Sequence, residues 1–230
     1  IHAPRATAMQ AWEWARQRGA TPKQLSIIPL YWKYGELTGI DPAFMYAQSC
    51  HETGFGKFGR AVTESMNNFA GIKVGREDAG ERTEDHETFA TSDDGVRAHF
   101  NHMGIYCGID PIGDPHPRWY LTSKLFWAGT VQYIEDLGGK WAPSAEYGRN
   151  VIRLLNEMIA VPEPEIEEPD PEPVEPELPE PVEPEPEPEE PPEPEFPEEE
   201  PKPNPASDPI LEFFRWLINV IKRWLSRGRA

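Results

Sequence analysis

An α+β fold dominated by helices, with a small β lobe, is what this 230-residue sequence predicts for its first 160 residues. Three observations carry that expectation. Capping side chains stand directly before prolines, apolar residues recur at helical spacing, and a glycine-studded stretch separates two helical regions.

The elements follow in chain order. Thr21-Pro22 and Asp41-Pro42 each set a capping oxygen before a proline at the first helical position, where the missing N–H costs nothing, so two helices start there. The second carries Phe44, Met45, Ala47 and Gln48, runs to about Thr53 and meets Gly54 as its stop. After it Gly54, Gly56, Gly59, Gly71, Gly75 and Gly80 break the pattern, and residues 69–89 suit a small hairpin lobe. Helical periodicity returns behind Asp93-Asp94, with Val96, His99, Phe100 and Met103 on one face. A last helix is expected over 144–159, with Val151, Ile152, Leu154, Leu155 and Met158 as its apolar side.

Charge divides the chain into three segments. Residues 1–160 hold 19 acidic against 16 basic side chains, the balance of an ordinary globular domain. Residues 161–206 alternate proline with glutamate, and 19 acids fall before the first base at Lys202. Ile166, Val174, Leu178, Val182 and Phe196 are too few there to offset the entropy of ordering, so an extended polyproline II spacer reaching roughly 140 Å is expected. Residues 207–230 are apolar and basic. Behind Asp208-Pro209, polar Glu212, Arg215, Asn219, Lys222, Arg223 and Ser226 recur at three- and four-residue steps opposite Ile210, Phe213, Phe214, Trp216, Leu217, Val220, Ile221, Trp224 and Leu225. That pattern predicts a cationic amphipathic helix suited to an anionic membrane surface, with Trp216, Lys222, Arg223, Trp224 and Arg227 as the contacting residues. A groove on a protein partner would read the same pattern.

Several chemistries find no support in the sequence. Residues 1–160 hold no phosphate loop, no Ser/His/Asp elbow and no basic stripe for nucleic acid. His51-Glu52 lacks the second histidine four positions on that a zinc helix needs, and His99 and His102 read as helix-surface or core-edge residues, so neither metal nor cofactor is expected. Cys50 and Cys107 permit at most one internal disulfide; each sits in an apolar helical pattern, where a buried free thiol is the plainer reading. The sequence opens at Ile1 without a signal-like preamble, the mark of a processed product or an excised fragment.

The chemistry centres on residues 47–56, AQSCHETGFG, where an apolar helix ends in a carboxylate followed by a glycine-rich turn. Partial burial there raises the pKa of Glu52, as a general acid requires. With that string, MNNFAGIK at 66–73, FATSDDGVRAHFNHM at 89–103 and GGKWAPSAEYGRNV at 138–151, the chain resembles the endo-β-N-acetylglucosaminidase family of bacterial autolysins, phage lysins and flagellar peptidoglycan hydrolases. The motifs keep the family's order over residues 5–160.

The resemblance implies a lysozyme-like helical fold with a groove for peptidoglycan glycan strands, and Glu52 as proton donor. It implies a second carboxylate in the β lobe: Glu84 is favoured over Asp85 among Glu77, Asp78, Glu81, Glu84, Asp85 and Glu87. Glu84 then acts as a base on water, or the substrate's own acetamido group is the nucleophile. Tyr147 matches the late tyrosine motif and is assigned to position that acetamide or the sugar ring. Asn67, Asn68, Phe69, Gly71, Tyr120 and Trp141 are the substrate-binding candidates. A monomeric hydrolase acting at the bacterial cell wall, secreted or released by a phage lysis system, is expected. The alternatives are a lytic transglycosylase and an inactive wall-binding module with a membrane-active tail.

Overall fold

The computed structural model describes residues 2–59 and 61–163. The remainder of the proline/glutamate spacer and the basic segment, with Trp216, Lys222, Arg223, Trp224 and Arg227, lie outside the described residues.

Seven α-helices make up the described part: α1 Ala8–Gln17, α2 Pro22–Ser26, α3 Ile28–Thr38, α4 Pro42–Thr53, α5 Ser92–Cys107, α6 Pro117–Thr122 and α7 Tyr147–Ile159. Local chemistry sets their ends. Thr7 caps α1 reciprocally with Gln10, whose side chain returns to the Thr7 N–H at 2.9 Å. Thr21 and Asp41 cap α2 and α4 as their position before proline predicts. Thr91 caps α5, placing Asp93 and Asp94 in the first turn, where carboxylates face the positive end of the helix dipole. His116 caps α6 through Nδ1, which accepts from the Trp119 N–H at 3.1 Å. Helix α7 starts at Tyr147, three residues later than its periodicity suggests.

Helix α4 is the centre of the packing. Ten of its twelve residues are buried, and it lies against α1, α3 and α7. Small residues permit this: a methyl at Gly35 on α3 would come within 2.8 Å of the Pro42 ring, so the two helices meet without a side chain between them. Tyr31, Met45, Tyr46, Phe100, Met103, Leu155 and Met158 fill the shared core with at most 1% exposure, each contributing on the order of 1.5–3 kcal/mol by leaving water. Both cysteines are free thiols, Cys50 within this core and Cys107 half-buried at the end of α5.

The expected β lobe is not there. Among the described residues the regular secondary structure is almost entirely helical, and no strand forms; residues 69–89 hold a single antiparallel bridge, Lys73 to His86. The backbone returns on itself only through Val74 N–H to Asp85 carbonyl and Glu87 N–H to Ile72 carbonyl, both 2.9 Å. Two side chains do what a ladder would do. Asn68, fully buried, donates to the Ile72 and Glu87 carbonyls and accepts from the Ile72 N–H, using its whole amide on backbone. Asp85, 1% exposed, binds Arg76 and Arg82 across the loop. Glycines and like charges between them, Gly75, Glu77, Asp78, Gly80 and Glu81, leave no alternating apolar run to extend the pairing.

The loop is pinned to α5 at one close approach. A methyl at Gly95 would sit 1.8 Å from the Asn67 carbonyl oxygen. Helix propensity alone makes Gly95→Ala stabilising by about 1 kcal/mol; the clash reverses the sign, for a net loss of about 1–3 kcal/mol. Thermal unfolding checks this, and an unchanged or raised Tm would show that the contact has room to give.

Candidate active site

Glu52 lies in the last turn of α4, one turn after Gln48, so both side chains leave the same face toward α7. Gly54, in the left-handed conformation at φ 59°, ends the helix and turns the chain away, which leaves Glu52 half-buried rather than enclosed. Two neutral donors meet its carboxyl. Trp141 Nε1 donates to Oε1 at 2.9 Å, and the Tyr147 hydroxyl donates to the same oxygen. Each donor is held by local packing. Gly138 and Gly148 lie so close to the carbonyls of Ala145 and Ile134 that a methyl would come within 2.5 and 2.2 Å, which fixes the turn bearing Trp141 and the first residue of α7.

With both donors on Oε1, the proton of the neutral acid belongs on Oε2. That oxygen faces Gly71, where an added methyl would stand 3.9 Å away and where φ is +64°. Burial raises the Glu52 pKa, and the hydrogen bonds from Tyr147 and Trp141, with the nearby His51, oppose it without cancelling it. Burial and the neighbouring Glu52 charge push the Tyr147 phenol well above its ordinary range, so it stays a donor. The arrangement is a carboxyl whose pKa is raised, with one oxygen anchored by two donors and the other facing Gly71.

The other sequence candidates are distributed differently. Glu84 is exposed and pairs with Arg82 at 3.0 Å, outside the Glu52 network, while Asp85 is consumed by its two arginines. Asn67 holds the Phe89 carbonyl at 2.8 Å from a left-handed backbone, φ 52°. Phe69 is 1% exposed, its ring centroid 6.3 Å from that of Phe58 in the core, with no open face to offer a sugar. Tyr120 is exposed and meets Trp119 edge-on.

His99 is fully buried, not at a helix surface, and His102 and His116 are buried with centroids 5.1 Å apart. Gln48 and His99 received no role from the sequence, although Gln48 stands four residues before Glu52 and that spacing is a signal for a shared face. Among the described residues no group of three or more His, Cys, Asp or Glu side chains converges as a metal site. Cavities of about 300 and 660 Å³ lie elsewhere, the larger at the opposite end of α4 beside Asp41 and Phe44, and Glu52 lines neither.

Comparison with known proteins bears on this geometry. The family model for Glucosaminidase, described as mannosyl-glycoprotein endo-beta-N-acetylglucosaminidase, matches residues 28–159, more than half of the chain and the whole of the Glu52 network. An uncharacterized protein of Borreliella burgdorferi is 29% identical over 125 residues, which cover 54% of this chain and 57% of that protein. The chain thus spans little more than half the length of that relative. No solved structure matches this chain.

The raised carboxyl has a consequence for stability. Between the ordinary glutamate pKa of about 4.3 and its own higher value, the folded state holds a proton that the unfolded chain has released. Stability therefore falls as pH rises through that window, and the loss is complete above it. In Glu52→Gln the amide cannot ionise, and its oxygen can take both donors. The Tm of this variant relative to wild type should thus be higher at pH 7 than at pH 4; an equal or reversed difference would mean that Glu52 ionises in its ordinary range.

Proposed function

Because the chain belongs to the mannosyl-glycoprotein endo-beta-N-acetylglucosaminidase family, we propose that it hydrolyses β-1,4 glycosidic bonds in the glycan strands of bacterial peptidoglycan, with Glu52 as general acid. The observation that supports this best is the pair of donors on one oxygen of a half-buried carboxyl whose pKa is raised. Oε2 delivers its proton to the glycosidic oxygen as the bond to the anomeric carbon breaks. Negative charge then appears on Glu52, where Tyr147 and Trp141 already point their hydrogens, so no reorganisation is needed at that moment. Water completes the reaction at the anomeric carbon. Glu84 activates it after exchanging Arg82 for substrate, or the substrate's acetamido group attacks first and water opens the resulting ring.

Pairing of Glu84 with Arg82, and with no group of the Glu52 network, favours a second reading in which one acid suffices and the product is an anhydro sugar, as in a lytic transglycosylase. Digestion of purified peptidoglycan decides between them. Mass spectrometry of wild-type products should reveal new reducing ends at N-acetylglucosamine; anhydro ends identify the transglycosylase. Glu52→Gln should lower the rate by about 10²–10⁴-fold, and retention of more than about a tenth would remove Glu52 from the role. In the same digest Glu84→Gln should cost more than Glu77→Gln or Glu87→Gln if Glu84 is the base, and no more than they do if the acetamido route operates.

The enzyme's site of action in this reading is the bacterial cell wall, reached by secretion or by release from the cytoplasm in a phage lysis system. The three segments divide the labour. Residues 1–160 cut glycan, the proline/glutamate spacer 161–206 is repelled by anionic surfaces, and the basic segment 207–230 binds them through Trp216, Lys222, Arg223, Trp224 and Arg227. Truncation after Val161 should abolish co-sedimentation with anionic vesicles and leave cleavage of soluble wall fragments unchanged. Full-length protein that ignores anionic vesicles would transfer the basic segment to a protein partner.

A further inference from the structure

Hydrogen bonding to Glu52 does not stop at Tyr147. Gln48 donates Nε2 to the Tyr147 hydroxyl oxygen at 2.9 Å, its Oε1 stands 3.1 Å from His99 Nε2, and His99 Nδ1 stands 2.9 Å from the Tyr31 hydroxyl. Tyr31, Gln48 and His99 are 0% exposed and Tyr147 is 4% exposed, so α3, α4, α5 and α7 seal this row from water.

Chemistry sets its direction. An amide oxygen only accepts, so His99 Nε2 carries a hydrogen for Gln48. Burial lowers the His99 pKa to about 3, which keeps the ring neutral with one N–H; Nδ1 therefore accepts from Tyr31. At the near end the Gln48 NH₂ occupies the Tyr147 oxygen, and the single Tyr147 hydrogen goes to Glu52 Oε1. Every donor along the row points toward the carboxyl.

Resting on the assignment of Glu52 as the acid, we propose that His99 is a positioning residue for the reaction: it holds the Gln48 amide in one orientation, which makes Tyr147 an obligatory donor to Oε1 and confines the transferable proton to Oε2. Without His99 the amide can turn over and present its oxygen to Tyr147. The phenol hydrogen is then drawn to Gln48, and Glu52 protonates at Oε1 with its O–H aimed at the Tyr147 oxygen, away from Gly71. The acid also loses a donor that stabilises its anion, which moves its pKa further up.

The other groups around the row keep their charge state across the working range or are untouched by the substitutions. Cys50 on α4 is pushed up to about 12 by burial, burial also raises Tyr46 and, with the Glu52 charge, Tyr106, and His102 is held well below its ordinary range. Arg118 is the cation whose field reaches Tyr106 and His102, and exposed His51 meets the Tyr147 ring edge-on at 5.4 Å. Both are retained in every variant.

The test is kcat, KM and the pH profile of kcat on soluble peptidoglycan fragments for full-length wild type, His99→Phe, His99→Gln and Tyr31→Phe. His99→Phe should lower kcat roughly tenfold or more at little changed KM, and its alkaline limb should move to higher pH. His99→Gln, whose amide supplies one donor and one acceptor, should bring both back toward wild type. Tyr31→Phe removes only one hydroxyl and should shift the limb in the same direction by less, which keeps the inference testable if His99→Phe does not fold. An unmoved limb in His99→Phe and Tyr31→Phe, or His99→Gln no better than His99→Phe, assigns His99 to packing alone. Activity surviving in Glu52→Gln would instead overturn the acid assignment, so the two failures are distinct.

Discussion

Near-complete burial of α4 is the constraint on which the rest of this structure depends. A helix with ten of twelve residues buried cannot leave polar side chains without partners, because each orphaned group costs its full desolvation. Gln48, Ser49 and Thr53 meet that demand through neighbouring helices: Gln48 with Tyr147 and His99, Ser49 with Gln24, Thr53 with the Ser49 carbonyl and Gln24. Glu52, one turn after Gln48, is only half-buried, so the same network that satisfies the core ends at its carboxyl.

The chemistry at Glu52 is a contest between desolvation and hydrogen bonding. Burial disfavours the anion, while the Tyr147 and Trp141 donors favour it, and desolvation prevails. Were the donors absent, the carboxyl's pKa would rise further. Were burial absent, it would move down toward the ordinary glutamate range. Both donors converge on one oxygen, so the contest also has a direction: the anchored oxygen faces the core and the other faces Gly71.

The loop between α4 and α5 shows why residues 69–89 misled a reading based on glycine spacing. A chain reversal does occur, and Lys73 bridges His86 as a hairpin would. Its stability comes from one buried amide and one buried carboxylate, Asn68 and Asp85, each satisfied by backbone or arginine partners brought near by the fold. Glycines reveal that the chain turns. They do not reveal whether a ladder or a side chain holds the two sides together.

Local chemistry along the sequence was enough for the helix starts at Thr21-Pro22 and Asp41-Pro42, the stop at Gly54 and the buried face of α5, because caps, breakers and apolar periodicity act within one or two turns. Tyr147 was legible from its motif, but as a group for the sugar; its bond to Glu52 spans 95 positions of chain. Gln48 and His99 read as an ordinary helix residue and a helix-surface or core-edge histidine. Only the packing of α3, α4, α5 and α7 around one buried row turned them into partners, since a hydrogen bond between side chains 51 residues apart depends on where helices cross and not on what either helix contains.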